Sequence, residues 1–293
     1  MGASLFRWSR RTLIASGAAM VAAGMGGRAA KADGGATQWR WAVDYGAHSD
    51  PALARDYQLL VLEPDHDRPI APLRGPDAML LGYVSLGEVE KNRPYYPDLL
   101  AAGALLAANP HWPDARMADL RHPAWGKVLL DRVIPGILAL GYNGIFIDTA
   151  DNAEAMEQAD PIGKAGMVDA AGALILAIRA RFPGIAIMLN RGYALLPRVA
   201  GAINHVLGEA MASRWNFARK DYELLSQSDW DWQASRLRAA QAINPALRVM
   251  TLDYWHSADR RQVATLYARE RAAGFLPYVS TLALDHLVDE PGG

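Results

Sequence analysis

The stretch that decides the fold of this chain is residues 141–152, GYNGIFIDTADN. It runs from the end of a helix into a short strand at 144–147, apolar on both faces, and then changes abruptly to Asp148 and further polar residues. A strand that is apolar on both faces is typical of the centre of a parallel sheet, and such folds place their chemistry at the carboxyl ends of the strands. Asp148 is therefore a candidate catalytic residue, although Asp is also favoured there as a helix cap.

Seven further short apolar runs have the same form, each followed by polar residues. They are 39–43, 59–62, 79–84, 185–189, 203–207, 248–252 and 275–279. Helical spacing of apolar residues separates most of them. The predicted helices are 51–55, 125–140, 161–182, 230–243 and 260–273, with Pro135 expected to kink the second, while 92–123 is a long connection without a predicted element.

Eight strands that alternate with helices predict a single α/β domain, a (β/α)8 TIM barrel, for which ~250 residues is the usual size. The alternative is a doubly wound open sheet. That fold usually carries a Gly-rich loop after its first strand, and residues 44–48, DYGAH, are not such a loop. The sequence therefore favours the barrel.

The first 32 residues predict an export signal. Arg10 and Arg11, within SRRTLI, resemble a twin-arginine motif; they precede an apolar run at 13–25, and Ala30-Lys31-Ala32 offers a cleavage position. The apolar run is shorter than the ~20 residues that a bilayer span needs. We therefore expect a signal at 1–32, a barrel domain at 33–293, no membrane span in the mature chain, and a periplasmic or secreted location.

Charge and cysteine content exclude several classes of function. After removal of the five cations of the predicted signal, the chain carries 25 basic and 31 acidic residues, a net charge of −6. Such a chain is a poor partner for nucleic acid, whose phosphates demand Lys and Arg, and suits a neutral or cationic ligand. The sequence has no cysteine, which excludes disulfides, thiolate zinc sites and a cysteine nucleophile.

A closed barrel would gather acids and tyrosines at its carboxyl-terminal rim. The residues predicted to bind substrate there are Asp44, Glu63, Tyr83, Glu88, Asp151, Asn190, Asp253, Tyr254 and Tyr278. Many acids beside aromatic rings are typical of a sugar cleft, and glycoside hydrolysis needs two carboxyl groups that face one bond. Asp148 and Glu209 are the predicted catalytic pair, because each directly follows a buried strand.

Other chemistries fit the sequence less well. The seven histidines are scattered without an HxH or HExxH motif, and no GxSxG elbow occurs. We predict no metal site and no cofactor, with a calcium ion among the acids left open as an alternative.

Seven segments, in this order along the chain, together resemble the endo-α-1,4-galactosaminidase-type glycoside hydrolases of families 114 and 166. The segments are GYVSLGEVEKNRPYYPDLL (82–100), NPHWP (109–113), HPAWGKVLLDRVI (122–134), GYNGIFIDTADN (141–152), LNRGYALLP (189–197), HVLGEAM (205–211) and GFLPYVSTLALDHL (274–287). The resemblance implies a (β/α)8 barrel that cuts α-1,4-linked polymers of galactosamine and N-acetylgalactosamine, a partly cationic polysaccharide. It also implies that Asp148 is the nucleophile or base, that Glu209 is the acid/base, and that Glu63 and Glu88 bind substrate. The residues after Glu209, Ala210-Met211-Ala212, depart from the pattern of these families.

Two alternatives remain at this point. One is a non-catalytic polysaccharide-binding barrel that acts in exopolysaccharide assembly, and the other is a hydrolase of a different exported glycan. The separation of the two carboxyl groups would give the stereochemistry: roughly 5 Å implies a covalent intermediate, and roughly 6.5 to 9.5 Å leaves room for a water.

Overall fold

The structure is a computed structural model, and it describes residues 39–66, 69–110 and 112–291. Within these ranges the chain forms thirteen strands. They are β1 (Trp41–Asp44), β2 (Leu59–Leu62), β3 (Met79–Ser85), β4 (Glu88–Glu90), β5 (Leu105–Ala108), β6 (Ala115–Ala118), β7 (Gly144–Asp148), β8 (Ala186–Asn190), β9 (His205–Glu209), β10 (Ser213–Asn216), β11 (Asp221–Leu224), β12 (Arg248–Tyr254) and β13 (Leu276–Ser280).

The same ranges contain nine α-helices. They are α1 (Pro51–Ala54), α2 (Tyr96–Ala101), α3 (Pro123–Val128), α4 (Ile134–Ala139), α5 (Asn152–Ala159), α6 (Met167–Arg181), α7 (Leu196–Val199), α8 (Gln227–Ile243) and α9 (Arg260–Ala272).

Eight strands form the wall of a barrel, which confirms the predicted fold. They pair in parallel in the order β1-β2-β3-β7-β8-β9-β12-β13. Each predicted apolar run forms one of these strands, because a strand covered on both faces must be apolar throughout. Large side chains on the inward faces fill the interior; the rings of Trp41 and Tyr278, for example, lie 5.8 Å apart between centroids.

The seam between β1 and β13 is crossed by side chains and by the segment that follows β13. Trp41 Nε1 donates to the carbonyl of Leu276 at 2.7 Å. The backbone nitrogen of Tyr45 donates to the carbonyl of Leu284 at 2.6 Å. The segment after β13 therefore helps to close the barrel between its first strand, β1, and its last strand, β13.

Pro135 shapes the helix that covers β3. It has no N–H to donate to the preceding turn, and the predicted helix accordingly occurs as α3, one π-helical turn at Leu129–Val133, and α4. Gly82 of β3 faces this helix, and a Cβ there would lie 2.4 Å from Cγ2 of Ile137. The glycine thus lets α4 pack closely on the strand.

The structure corrects the predictions for two stretches. The connection at 92–123 is not structureless: it carries α2 and the strands β5 and β6, which join β4 in an antiparallel sheet of order β4-β6-β5. The helix predicted at 161–182 begins only at Met167, after Gly166 at φ 83°, and α5 precedes it. Outside the eight wall strands, β10 and β11 form an antiparallel hairpin that was not predicted.

The predicted export signal lies outside the described residues. None of the helices in the described ranges combines the length and the hydropathy that a bilayer span requires.

Candidate active site

Five neighbouring strands of the barrel wall carry side chains that meet at one mouth of the barrel. The ladder order places β3, β7, β8, β9 and β12 side by side. The residues that meet are Tyr83, Asp148, Asn190, Glu209 and Tyr254, each at or near the carboxyl end of its strand. Parallel strands bring their carboxyl ends to the same rim, so residues that are far apart in sequence form one group.

Asn190 joins the two predicted catalytic acids. Its Nδ2 atom donates to Asp148 Oδ1 at 2.8 Å and to Glu209 Oε2 at 2.5 Å. Because one nitrogen contacts both oxygens, these oxygens are separated by at most the sum of the two distances, about 5.3 Å. The amide must present its NH2 group here, since a carbonyl oxygen would repel both carboxylates. The two carboxyl groups therefore face the same space.

A tyrosine supplies the second hydrogen bond to each acid. The hydroxyl of Tyr83 donates to Asp148 Oδ2 at 3.0 Å, and that of Tyr254 donates to Glu209 Oε1 at 3.2 Å. The Tyr83 ring is in turn met edge-on by Tyr45, with 5.3 Å between centroids. Asp148 and Glu209 are only half-buried. A ligand at the mouth of the barrel can therefore reach both acids.

The strands β7, β8 and β9 end in the same unusual backbone geometry. The residue after each inward-facing polar side chain has a positive φ: Thr149 at 58°, Arg191 at 52° and Ala210 at 53°. Residues other than glycine rarely adopt this conformation, which costs roughly 1–3 kcal/mol. It turns the chain sharply as soon as the strand ends. Strain of this kind clusters at active sites, so three such residues at successive strand ends mark this rim as the candidate site.

The surroundings of Asp148 act on its pKa in opposite directions. Burial raises the pKa of Asp148, and the neighbouring carboxylate of Glu209 raises it further. Hydrogen bonds from Asn190 and Tyr83 lower this pKa because they favour the ionised form. Two carboxyl groups at this separation favour the state in which only one is ionised, which is the arrangement that acid and nucleophile chemistry requires.

Three other predicted acids, Glu63, Glu88 and Asp151, lie near this rim. Glu88 Oε1 accepts from Asn109 at 2.9 Å and from Asn152 at 2.7 Å, and burial raises the pKa of Glu88 to about 6. Glu63 is also buried, and its Oε1 accepts from the backbone nitrogen of Asp65 at 3.0 Å. Asp151 is half-buried at the start of α5. Through its hydrogen bond with Asn152, Glu88 holds the segment that follows Asp148.

The structure does not bring Asp44, Asp253 and Tyr278 to the pair, and their side chains are 0%, 1% and 0% exposed. Asp44 accepts from the backbone nitrogen of Gly46 and from Ser49. Asp253 Oδ1 accepts from the backbone nitrogens of Ala212 and Ser213 at 2.7 and 2.8 Å, and the hydroxyl of Tyr278 accepts from the backbone nitrogen of Val288 at 3.0 Å. A substrate-binding role for these three residues is not supported.

Sequence reasoning missed two residues that hold the segment after Asp148. Thr149 Oγ1 accepts from the backbone nitrogen of Gly87 at 2.8 Å. Asn152 connects the same segment to Glu88. Both lie within the stretch GYNGIFIDTADN, so the run of polar residues after the strand was a signal for them.

In the described ranges, no group of three or more His, Asp or Glu side chains is placed to hold a metal ion.

Comparison with known proteins gives one family. The sequence model of glycoside-hydrolase family GH114 matches residues 22–293. The chain is also 28% identical over 247 residues to an uncharacterised protein of Deinococcus radiodurans, a match that covers 79% of this chain and 75% of that protein.

Two solved structures share the barrel. The glycoside hydrolase domain of PelA from Pseudomonas aeruginosa superimposes with a TM-score of 0.75 at 29% identity, covering 85% of this chain and 96% of that chain. The structure of Ega3 from Aspergillus fumigatus, in complex with galactosamine, has a TM-score of 0.63 at 16% identity and covers 90% of this chain and 100% of that chain. The second likeness shows the fold alone.

Proposed function

This chain belongs to glycoside-hydrolase family GH114, and from that premise we propose that it is an exported, endo-acting hydrolase of α-1,4-linked, galactosamine-containing polysaccharide. Asp148 is the proposed nucleophile and Glu209 the proposed acid/base. The observation that carries the proposal is the bridge through Asn190, whose side-chain nitrogen donates to both carboxylates and so keeps the two bridged oxygens within about 5.3 Å of each other.

The separation favours a retaining mechanism. Carboxyl groups of retaining enzymes lie ~5–5.5 Å apart, while an inverting pair needs ~6.5–9.5 Å to admit a water. The bridged oxygens of Asp148 and Glu209 lie at most about 5.3 Å apart, which is less than an inverting pair needs. Asp148 attacks the anomeric carbon while Glu209 gives its proton to the glycosidic oxygen, and that bond breaks. Glu209 then takes a proton from water, whose oxygen displaces Asp148 and frees the sugar.

The substrate class rests on two supports. The motifs of this chain resemble galactosaminidases. The net charge of −6 for the part of the chain after the predicted signal suits a polymer that carries ammonium groups.

The first test is substitution of each acid. Asp148→Asn and Glu209→Gln keep the volume of each side chain and remove its charge. We expect each to lower the release of reducing ends from galactosamine-rich polysaccharide by about 10²–10⁴-fold, the usual contribution of such a group. Asp169→Asn is the matched control, because that carboxylate is 86% exposed and forms a surface ion pair with Arg198. Full turnover in both acid variants would remove the proposal, and binding by the wild type without release of reducing ends would favour the polysaccharide-binding barrel.

The second test concerns stereochemistry and mode of action. NMR of the first product should show the α-anomer, and a β-anomer would contradict the retaining assignment. Endo action predicts that the viscosity of the polymer solution falls early, before many reducing ends appear.

Export is proposed from residues 1–32. Replacement of Arg10 and Arg11 by Lys should keep the protein inside the cell, and N-terminal sequencing of the exported protein should begin at Asp33. A mature protein that begins at residue 1 would contradict this.

A further inference from the structure

The hairpin of β10 and β11 stands beside the acid pair. It begins at Ser213, four residues after Glu209, and it interrupts the alternation of strands and helices between β9 and α8. Its base is tied to the next wall strand, since the backbone nitrogen of Tyr254 donates to Ser213 Oγ at 3.1 Å. The hairpin is therefore fixed to the side of the site that holds Glu209 and Tyr254.

Three aromatic rings cluster on this hairpin and on the end of β12, and we call them the hairpin platform: Trp215, Tyr222 and Trp255. The rings of Trp215 and Tyr222 lie 4.9 Å apart between centroids at 73°, and those of Tyr222 and Trp255 lie 6.1 Å apart. All three residues are partly exposed, whereas Trp41 and Trp125 are each only 1% exposed in the core. The platform thus presents aromatic surface to solvent at the rim of the site.

Hydrogen bonds hold two of the three residues of the platform, Tyr222 and Trp255. The hydroxyl of Tyr222 accepts from the backbone nitrogen of Leu282 at 3.0 Å. The backbone nitrogen of Trp255 donates to the carbonyl of Ser280 at 3.0 Å, and its Nε1 donates to Asp259 at 3.1 Å. Rings that are already held in place lose little conformational entropy when a ligand packs on them.

Charged groups around the platform are paired with one another. Glu223 accepts from Arg214 at 2.7 Å, from Asn216 at 2.8 Å and from Arg219. Asp221 contacts His256 at 2.8 Å. Because these charges are engaged within the hairpin, the platform offers ring faces rather than free carboxylates to a ligand.

We propose that the hairpin platform binds the sugar units on the leaving-group side of the cleaved bond, an inference that rests on the proposed function of Glu209 as acid/base. Ser213 at the base of the hairpin accepts from the backbone nitrogen of Tyr254, whose hydroxyl contacts Glu209. The platform is thereby tied to the rim on the side of the acid that protonates the leaving oxygen. The C–H faces of pyranose rings pack on aromatic rings. Such packing does not sense the amino substituent, so the platform accepts galactosamine and N-acetylgalactosamine units alike.

The test compares a polymer with a substrate that has no sugar on the leaving side, α-galactosaminyl fluoride. Trp215→Ala and Trp255→Ala should each lower kcat/KM on the polymer about tenfold, the loss expected from one aromatic contact, and leave hydrolysis of the fluoride within about twofold. The loss should be the same for acetylated and deacetylated oligomers. Trp232→Ala is the matched control, because Trp232 is 45% exposed on α8 and lies outside the platform.

Three outcomes would overturn the inference. Unchanged polymer cleavage in both variants would mean that the platform does not bind substrate. An equal loss on the fluoride would mean that the rings only support the fold. If the wild type cleaved neither substrate, the proposed function would fail, and retardation of the protein in polymer-containing gels would still report on the platform. Retardation that Trp215→Ala leaves unchanged would then overturn it.

Discussion

The hydroxyl of Tyr83 donates to Oδ2 of Asp148 at 3.0 Å. This bond favours the ionised form of the proposed nucleophile, against the burial that raises the pKa of Asp148. Tyr83→Phe should therefore raise this pKa further. Because the nucleophile must be ionised, the acid limb of the pH profile of kcat/KM should move to higher pH. A hydrogen bond to a charged group contributes ~1.5–3 kcal/mol, so we expect a loss of about 10–100-fold at neutral pH. A uniform loss with an unmoved acid limb would assign Tyr83 a packing role only.

Two substitutions of Asn190 should differ in how the activity of the variant depends on pH. Asn190→Ala removes the shared donor and should lower kcat/KM about 10–100-fold at all pH values. Asn190→Asp places a third carboxyl group against two others, within the distances of 2.8 and 2.5 Å that the amide now spans. We expect it to be the worse variant at pH 7 and to recover part of its activity as the pH falls and the new carboxyl group takes up a proton. Rate profiles between pH 4 and pH 8 would show this, and equal profiles for the two variants would contradict the bridging role.

The barrel and the acid pair could be predicted because both depend on a strong local pattern. A parallel strand buried on both faces is read directly as an apolar run, and closure of eight strands brings their carboxyl ends together whatever the loops do. That is why Asp148 and Glu209, although far apart in sequence, were placed at one rim. The antiparallel strands β5 and β6 have four residues each and are only partly buried. β5 is apolar but lies in the Ala-rich stretch AAGALLAA (101–108), which does not distinguish a strand from a helix, and β6, ARMA, has no apolar run.

Side-chain direction explains the substrate-binding predictions that the structure does not support. Successive residues of a strand point to opposite faces. Tyr254 points inward to Glu209, so Asp253 points outward, where it holds the backbone of Ala212 and Ser213. Tyr278 does lie on the inward face, but its ring packs on Trp41 and its hydroxyl accepts from the backbone nitrogen of Val288. Proximity to a strand end in sequence was thus not sufficient; the face of the strand and the direction of the side chain also decide.

His205 predicts a pH dependence of stability that is separate from catalysis. It is buried on β9, its ring lies 6.2 Å from that of Trp39, and burial lowers its pKa from 6.5 to about 4. His205 is protonated near pH 6.5 in the unfolded chain but only near pH 4 in the folded protein. This contribution to stability is therefore present above pH 6.5 and is lost as the pH falls, by about 3 kcal/mol at pH 4. Urea denaturation of the wild type and of His205→Phe should show that the variant loses this part of the pH dependence, and parallel profiles would contradict it.

Glu270 predicts a pH dependence of stability in the opposite direction, with a loss of stability as the pH rises. Its Oε1 accepts from Trp230 Nε1 at 2.7 Å, and burial, followed by the charge of Asp253, raises the pKa of Glu270 from 4.5 to about 8. The folded protein therefore holds a proton that the unfolded chain releases near pH 4.5, so stability is fully present below that pH and declines as the pH rises through about 8.

Glu270→Gln keeps an acceptor for Trp230 and cannot ionise. We expect the variant to match the wild type at pH 4.5 and to have the larger free energy of unfolding at pH 9, as measured by urea denaturation. Glu270→Ala is the informative control, because it leaves the indole N–H buried without its acceptor and opens a cavity, which should destabilise the fold by roughly 2–4 kcal/mol at both pH values. If Glu270→Gln had the same free energy of unfolding as the wild type at both pH 4.5 and pH 9, the pKa of Glu270 would not be raised in the folded protein, and the protonated state inferred for this buried site would be wrong.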